Sequence, residues 1–304
     1  MAAIRTDGLV KDYGRTRALD GLDLEVEQGE VFGFLGPNGA GKSTTIRLIL
    51  DLLRPTAGTV EVLGQNPTEG GPELRARIGY LPGELGLPDR KTAGEYLAYL
   101  ARLRGGRGEA RIAELAGRFG LELHRPLRAL SKGNKQKVTI VQAFMHDPDL
   151  LVLDEPTSSL DPLLQMEFRA LVDEAHGRGA TVFLSSHVLA EVEEIAGRVA
   201  IVRSGKIVDV DDVRALRERA GQDVLLRFAA PVDPGEFTGL PGMTDVVVDH
   251  NTLTCRLHGA PGALLAVAAR HEVVRWQAHD RDLEELFMDF YRDPATPIDE
   301  EVVR

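Results

Sequence analysis

Gly36-Pro37-Asn38-Gly39-Ala40-Gly41-Lys42-Ser43, followed by Thr44, is the stretch whose reading decides the fold. It fits G-x-x-x-x-G-K-[ST], and its flanks fit the same reading. Before it, Val31-Phe32-Gly33-Phe34-Leu35 is short and apolar, the pattern of a buried strand. After it, Thr45 to Leu53 carries a helical pattern stopped by Pro55. Strand, glycine loop and helix together make a phosphate cradle. The glycines let backbone N–H groups turn inward on a polyanion, and the helix start adds unpaired N–H groups and its positive dipole end. Lys42 supplies a mobile charge for β- and γ-phosphates, and Ser43 a hydroxyl for Mg²⁺. A glycine-rich turn holding Gly-Lys-Ser by chance has no reason to sit between such a strand and such a helix.

The totals bound the rest. At 304 residues the chain predicts one large or two modest domains, and 43% hydrophobic with 27% charged residues is ordinary for a globular chain. No apolar run approaches the roughly 18 residues that span a bilayer, and Met1 to Asp7 lacks the apolar core of a secretory signal. Cys255 is the only cysteine, which excludes an intrachain disulfide or a cysteine zinc cluster; it alternates with Leu253 and Leu257 as a small core residue does. The net charge is −11, and residues 216–304 hold 9 basic against 16 acidic residues. An acidic chain without a basic run matches neither nucleic acid nor an anionic lipid surface, so no nucleic-acid partner is expected.

In chain order, Ile4 to Val10 and Leu22 to Val26 alternate as strands around a turn at Asp12-Tyr13-Gly14. Thr59 to Leu63, Ile78 to Leu81, Leu150 to Leu153, Thr181 to Leu184 and Val199 to Val202 are further strands. Helical patterns fill 92–103, 109–119, 134–146, 163–175 and 188–196. Strands alternating with helices predict an α/β core with a largely parallel sheet. Past residue 220 the grammar changes. Val224, Leu226 and Phe228 alternate, Pro234 to Leu240 suggests a short helix, and two strands flank His250-Asn251. Gly262 to Ala269 is helical, Val273 to Trp276 is a strand, and Leu283, Leu286, Phe287 and Phe290 fall at i, i+3, i+4, i+7. That order, βαββαβ, is the order of a small α+β, ferredoxin-like module with an extra helix. The expected division is 1–218, with a helical subdomain at about 84–147, then 219–292, then a disordered tail over 293–304.

Two more stretches carry chemistry. Leu150 to Leu153 ends in Asp154 and Glu155, and parallel strands deliver side chains at their carboxyl ends, where α/β sheets bind ligands. Asp154 can hold Mg²⁺ as the acidic partner of Ser43, and Glu155 can orient and deprotonate water. Taken alone they are also what solvated acids at a strand end look like. Leu130-Ser131-Lys132-Gly133-Asn134 opens a helix, where a serine cap and a glycine form a second anion site; this motif is commonplace by itself.

With all three in order, residues 1–215 resemble the ATP-binding-cassette (ABC) transporter ATPases, a P-loop NTPase cassette with a helical signature subdomain. In that family the signature loop reads Leu-Ser-Gly-Gly-Gln; Ser131 and Gly133 match it, while Lys132 and Asn134 depart. The resemblance implies that this loop meets the γ-phosphate of ATP held by a second subunit, so that the working site takes a homodimer or a paired second cassette. It assigns Asp161, after Ser158-Ser159-Leu160, to the loop that crosses between subunits; Asp161 also reads as a helix cap before Pro162. It assigns His187, in Ser185-Ser186-His187, to the switch histidine, against the structural role a lone strand-end histidine usually has. Tyr13 resembles the aromatic residue that stacks on adenine, or packs on the sheet beside its turn. The clearest departure is Tyr80-Leu81-Pro82-Gly83-Glu84, where the family has glutamine at the position of Gly83. Glu84 is the candidate replacement metal ligand, although one step along an extended chain points to the opposite face unless the loop bulges.

The expected function is therefore hydrolysis of ATP with Mg²⁺, driving an integral-membrane permease on a separate chain. The expected location is the cytoplasm, on the inner face of the cell membrane. The single cassette, degenerate signature and short C-terminal module resemble the drug and antibiotic efflux group. The alternatives are a soluble ABC ATPase of translation or DNA repair, and a non-hydrolysing ATP-dependent interaction module.

Overall fold

Strand β1 (Ala2–Tyr13) turns at Gly14 into β2 (Thr16–Glu27), and the apolar central strand β3 (Val31–Leu35) leads into helix α1 (Lys42–Ile49). The computed structural model describes residues 1–280 apart from Leu85 and Asp89, and the side chains of all these but Glu218 and Arg219. Next come β4 (Ala57–Val62), α2 (Gly71–Ala76), β5 (Ile78–Leu81), α3 (Ala93–Leu103), α4 (Glu109–Arg118) and α5 (Lys132–Phe144). Then follow β6 (Leu150–Asp154), α6 (Pro162–Gly177), β7 (Thr181–Ser186), α7 (Leu189–Glu193), β8 (Arg198–Arg203) and β9 (Lys206–Asp212). The chain divides into two compact units, the first Met1–Asp211 and the second beginning at Asp212.

In the first unit a six-stranded sheet runs β5-β6-β7-β3-β8-β9, and β5, β6, β7, β3 and β8 are parallel neighbours. A three-stranded antiparallel sheet, β2-β1-β4, supplies the second layer. Every residue of β3, β6 and β7 is buried, which is why these strands are apolar runs and not alternations. Phe32 lies parallel to Phe183 at 6.2 Å, and Phe34 tilts against Phe183 at 5.2 Å, so neighbouring strands are locked by aromatic contact as well as by hydrogen bonds. Ile46, Leu48 and Ile49 of α1 join the same core.

Helix α1 ends earlier than the pattern over Thr45 to Leu53 predicts. Asp51 takes a φ of 59° and gathers Arg54, Thr68 and Arg75 around its carboxylate, which breaks the helix before Pro55. Helix α7 is likewise shorter than 188–196, and α2 and β9 are additional elements; β9 alternates strictly, but its apolar Val208 and Val210 are the exposed positions. Ser204 and Gly205, both at positive φ, form the two-residue turn joining β8 to β9. Helices α3, α4 and α5 pack on one another; Thr92 and Glu95 close a reciprocal cap at the start of α3. Arg118 of α4 binds both oxygens of Glu174 at 2.8 Å and also Glu167, tying α4 to α6. No helix among the described residues is long and apolar enough to cross a membrane.

The second unit holds α8 (Val213–Ala220), β10 (Gln222–Phe228), β11 (Met243–Asp249), β12 (Thr252–Leu257), α9 (Gly262–Ala268) and β13 (Val273–Asp280). Its sheet runs β11-β12-β10-β13 with every neighbouring pair antiparallel. Val224, Leu226, Phe228, Leu253, Cys255 and Leu257 face Leu264 and Val267 of α9. Burial pushes the Cys255 thiol up to about 11, so it is an inert core group, as its alternation predicts. The helix expected at Pro234 to Leu240 is a single 3₁₀ turn at Pro234–Glu236. Asp233 caps that turn, and Pro and Gly give it little tendency to lengthen. The apolar face at Leu283 to Phe290 and the tail over 293–304 lie outside the described residues.

His146 yields a pH test. It is buried beyond α5, its Nε2 lies 3.2 Å from the Ile78 carbonyl, and its Nδ1 has no partner among the described residues. Burial, reinforced by the positive charge of Arg104, pushes its pKa from 6.5 down to about 4. The unfolded chain therefore takes up this proton more readily than the folded one. Stability is full above pH 6.5 and falls as the pH drops toward 4, by at most about 1.4 kcal/mol per pH unit. Thermal melts across that range should show the gap between wild type and His146→Gln narrowing as the pH falls; a constant gap contradicts the burial argument.

Candidate active site

The loop between β3 and α1 is shaped by what its backbone must do. Gly41 takes a φ of 110°, and a Cβ there would lie 2.6 Å from Leu19 Cδ2. No other residue fits that position. Helix α1 begins with no side-chain cap and no acid in its first turn, so its leading N–H groups face outward as an anion site. Gly36 N donates to the Ser186 carbonyl, which pins the loop to β7. Lys42 is buried, and its Nζ donates to the Gly36 and Pro37 carbonyls.

Residues 37–39 and 41–44 line a pocket of about 320 Å³ together with Ala18 and Glu155. Gly36 and Ala40 stand behind this wall. A second pocket of about 330 Å³ is lined by Ser43, Arg47, Tyr80, residues 82–84, Asp154 and Glu155. Ser43 and Glu155 belong to both, so the two pockets adjoin across these side chains. The strand order explains the meeting. β6, β7 and β3 are parallel neighbours, with Asp154 opposite Ser185 and Leu35 opposite Ser186, so all three chains leave the sheet at one edge.

Glu155 follows Asp154 at a φ of 49°, uncommon for a residue with a side chain. Its N–H donates to the Ser185 carbonyl at 3.1 Å. One carboxylate oxygen lies 3.3 Å from Lys42 Nζ and the other 2.7 Å from His187 Nδ1. Asp154 is buried and accepts from Ser185 Oγ at 2.6 Å. Burial, together with the negative charge of Asp154, pushes the Tyr80 hydroxyl up to about 12, so it stays protonated.

The structure thus brings together Gly36 to Thr44, Glu84, Asp154, Glu155 and His187. It does not bring Tyr13 to either pocket; that ring is 45% exposed at the β1–β2 turn, with Lys11 Nζ 5.4 Å above it. Ser131 and Asp161 cap α5 and α6 by accepting from Asn134 N and Leu164 N, and with Gly133 they stand outside both pockets. Sequence reasoning overlooked Ala18, Arg47 and Ser185. None of the three left a signal of its own in the sequence; the bond of Ser185 to Asp154 depends on the pairing of β7 with β6.

A family model described as ABC transporter matches residues 19–158. The bacitracin transport ATP-binding protein BcrA of Bacillus licheniformis is 39% identical over 219 residues, covering 71% of this chain and 72% of that protein. The daunorubicin/doxorubicin resistance ATP-binding protein DrrA of Streptomyces peucetius is 41% identical, covering 73% of this chain and 69% of that one. The chain belongs to the ATP-binding subunits of ABC transporters. A solved ATP-binding subunit of an ABC transporter superposes on 71% of this ABC ATPase and 92% of its own length, with 31% identity and a TM-score of 0.67.

The donor set of this ABC ATPase fits a nucleotide: a buried ammonium beside an uncapped helix start suits a phosphate chain. Lys42→Ala should weaken ATP binding by about tenfold or more, the scale of a lost charge-assisted hydrogen bond. Equilibrium binding of a fluorescent ATP analogue measures it; unchanged affinity contradicts a phosphate role for Lys42.

Proposed function

We propose that the protein is the ATP-hydrolysing subunit of a drug-efflux transporter, acting as a pair of copies under a separately encoded membrane permease. The observation that carries this is Glu155, held in the pocket wall by Lys42 on one oxygen and His187 on the other. A carboxylate so placed can take a proton from water and aim that water at the terminal phosphate. His187, as the partner of Glu155, holds the carboxylate in line; with both ring nitrogens protonated it can also donate to the phosphate. Lys42 and the backbone of residues 38–44 bind the phosphate chain, and Tyr13 stacks on the adenine from its exposed turn.

Ser43, Asp154 and Glu84 present oxygen donors on the second pocket, a hard set of the kind Mg²⁺ takes. The ion, when bound, supplies charge neutralisation at the phosphate oxygens. Gly83 has no donor, and Glu84 lines the pocket because the chain has left β5 at Leu81 and is no longer extended.

Ser131, Gly133 and Asp161 make no contribution to their own pocket, and we assign them to the pocket of a second copy. The cycle follows from that division of labour. ATP joins two copies and hydrolysis parts them, and a membrane permease feels the closure. The relatives named for bacitracin transport and for daunorubicin/doxorubicin resistance support export of such compounds over a role in translation or repair. A subunit that binds ATP and drives a membrane permease is taken to sit in the cytoplasm against the inner face of the membrane, and no helix among its described residues is long and apolar enough to cross it. The strand order β11-β12-β10-β13 supports a ferredoxin-like reading of the described part of the second unit.

Glu155→Gln tests the reading. It keeps the side chain's shape and removes the base, so hydrolysis should fall by about a hundredfold or more while ATP-bound dimer accumulates in light scattering. A variant that stays monomeric at saturating ATP, or hydrolyses at the wild-type rate, contradicts the proposal.

A further inference from the structure

Resting on the hydrolysis reading above, we infer that Ser185 is the positioning residue for both acids, fixing which oxygen of Asp154 meets Mg²⁺ and how Glu155 enters the pocket. Ser185 is fully buried at the carboxyl end of β7, directly opposite Asp154 in the parallel register. Its Oγ donates to Asp154 Oδ1 at 2.6 Å and accepts from Glu155 N at 3.3 Å, while its carbonyl accepts from the same N–H at 3.1 Å. One residue therefore grips the carboxylate of the first acid and the backbone of the second.

The grip leaves a defined face. With Oδ1 taken by Ser185, the other oxygen of Asp154 lies on the side of Gly83, where an added Cβ would stand only 3.1 Å from Oδ2. That side opens on the pocket Asp154 shares with Ser43 and Glu84. Gly83 is thus what lets the loop approach the free oxygen, and Ser185 is what keeps that oxygen turned toward it. The same anchor holds Glu155 at its φ of 49°. Backbone in that region persists only where its surroundings over-determine it.

Neighbouring groups do not duplicate this. Ser186 faces the other way along the strand, donating to Glu191 Oε2 and accepting from Val188 N. Without the Ser185 hydroxyl, Oδ1 of a buried carboxylate loses its donor, and Asp154 is free to turn.

The test uses the full-length chain with ADP, and Mn²⁺ as the metal probe. Mn²⁺ binding to the ADP-bound protein is read by electron paramagnetic resonance, and metal-free ADP affinity by calorimetry. Ser185→Ala should weaken Mn²⁺ binding by about tenfold or more, with metal-free ADP affinity within about twofold of wild type, and Ser185→Thr should restore Mn²⁺ binding. Unchanged Mn²⁺ affinity in Ser185→Ala overturns the inference. So does a parallel loss of metal-free ADP affinity, which marks general disruption, or a loss in Ser185→Thr equal to that in Ser185→Ala. A wild-type protein that binds no ADP sinks the hydrolysis reading itself; one that binds ADP and Mn²⁺ while Ser185→Ala behaves identically sinks only the role of Ser185.

Discussion

Parallel register among β6, β7 and β3 is the constraint on which the rest of the first unit depends. It sets Asp154 level with Ser185 and Leu35 level with Ser186, so three strand ends release three functional segments at one edge. A slip of one residue in β7 would turn Ser185 away from Asp154 and present Ser186 instead. Burial on both faces forbids such slips, because it would cost the packing of Phe183 against Phe32 and Phe34. Apolar packing within the strands behind the pocket is therefore what gives the pocket its geometry.

Within that frame the site trades stability for chemistry. Lys42 and Glu155 are charged groups with little exposure, and a buried ion pair seldom repays its desolvation. Their value lies in a poised arrangement. Lys42 is held by two backbone carbonyls and the Glu155 carboxylate, ready for a phosphate chain, and Glu155 is braced by His187 and by the backbone grip of Ser185.

Much of this was legible in the sequence because it rests on local patterns. The phosphate loop shows in its glycines, and the buried strands show as apolar runs. Asp154 and Glu155 show as acids ending one such run. Features set by distant contacts were harder to read. Nothing local says that Asp51 will gather Thr68 and Arg75 as well as its neighbour Arg54, and end α1 early. Alternation put Glu84 on the face opposite Gly83, yet both line one pocket, because the extended chain stops at Leu81. The resemblance put Tyr13 beside the adenine, while the structure shows it only as an exposed ring under Lys11. Ser185 reads in the sequence only as a residue before His187, and its bond to Asp154 needs the strand pairing before it can be seen.

Ser131 and Asp161 cap their helices outside both pockets, Gly133 stands outside them as well, and the proposed cycle has a second copy supply these residues to each working site. The most direct measurement of that claim is the Mg²⁺-ATPase rate per molecule of wild-type protein against protein concentration at saturating ATP. If two chains build each working site, the rate per molecule rises with concentration through the dilute range and levels off once dimers dominate. A rate per molecule that stays constant from the most dilute sample upward means that one chain hydrolyses alone, and contradicts the account.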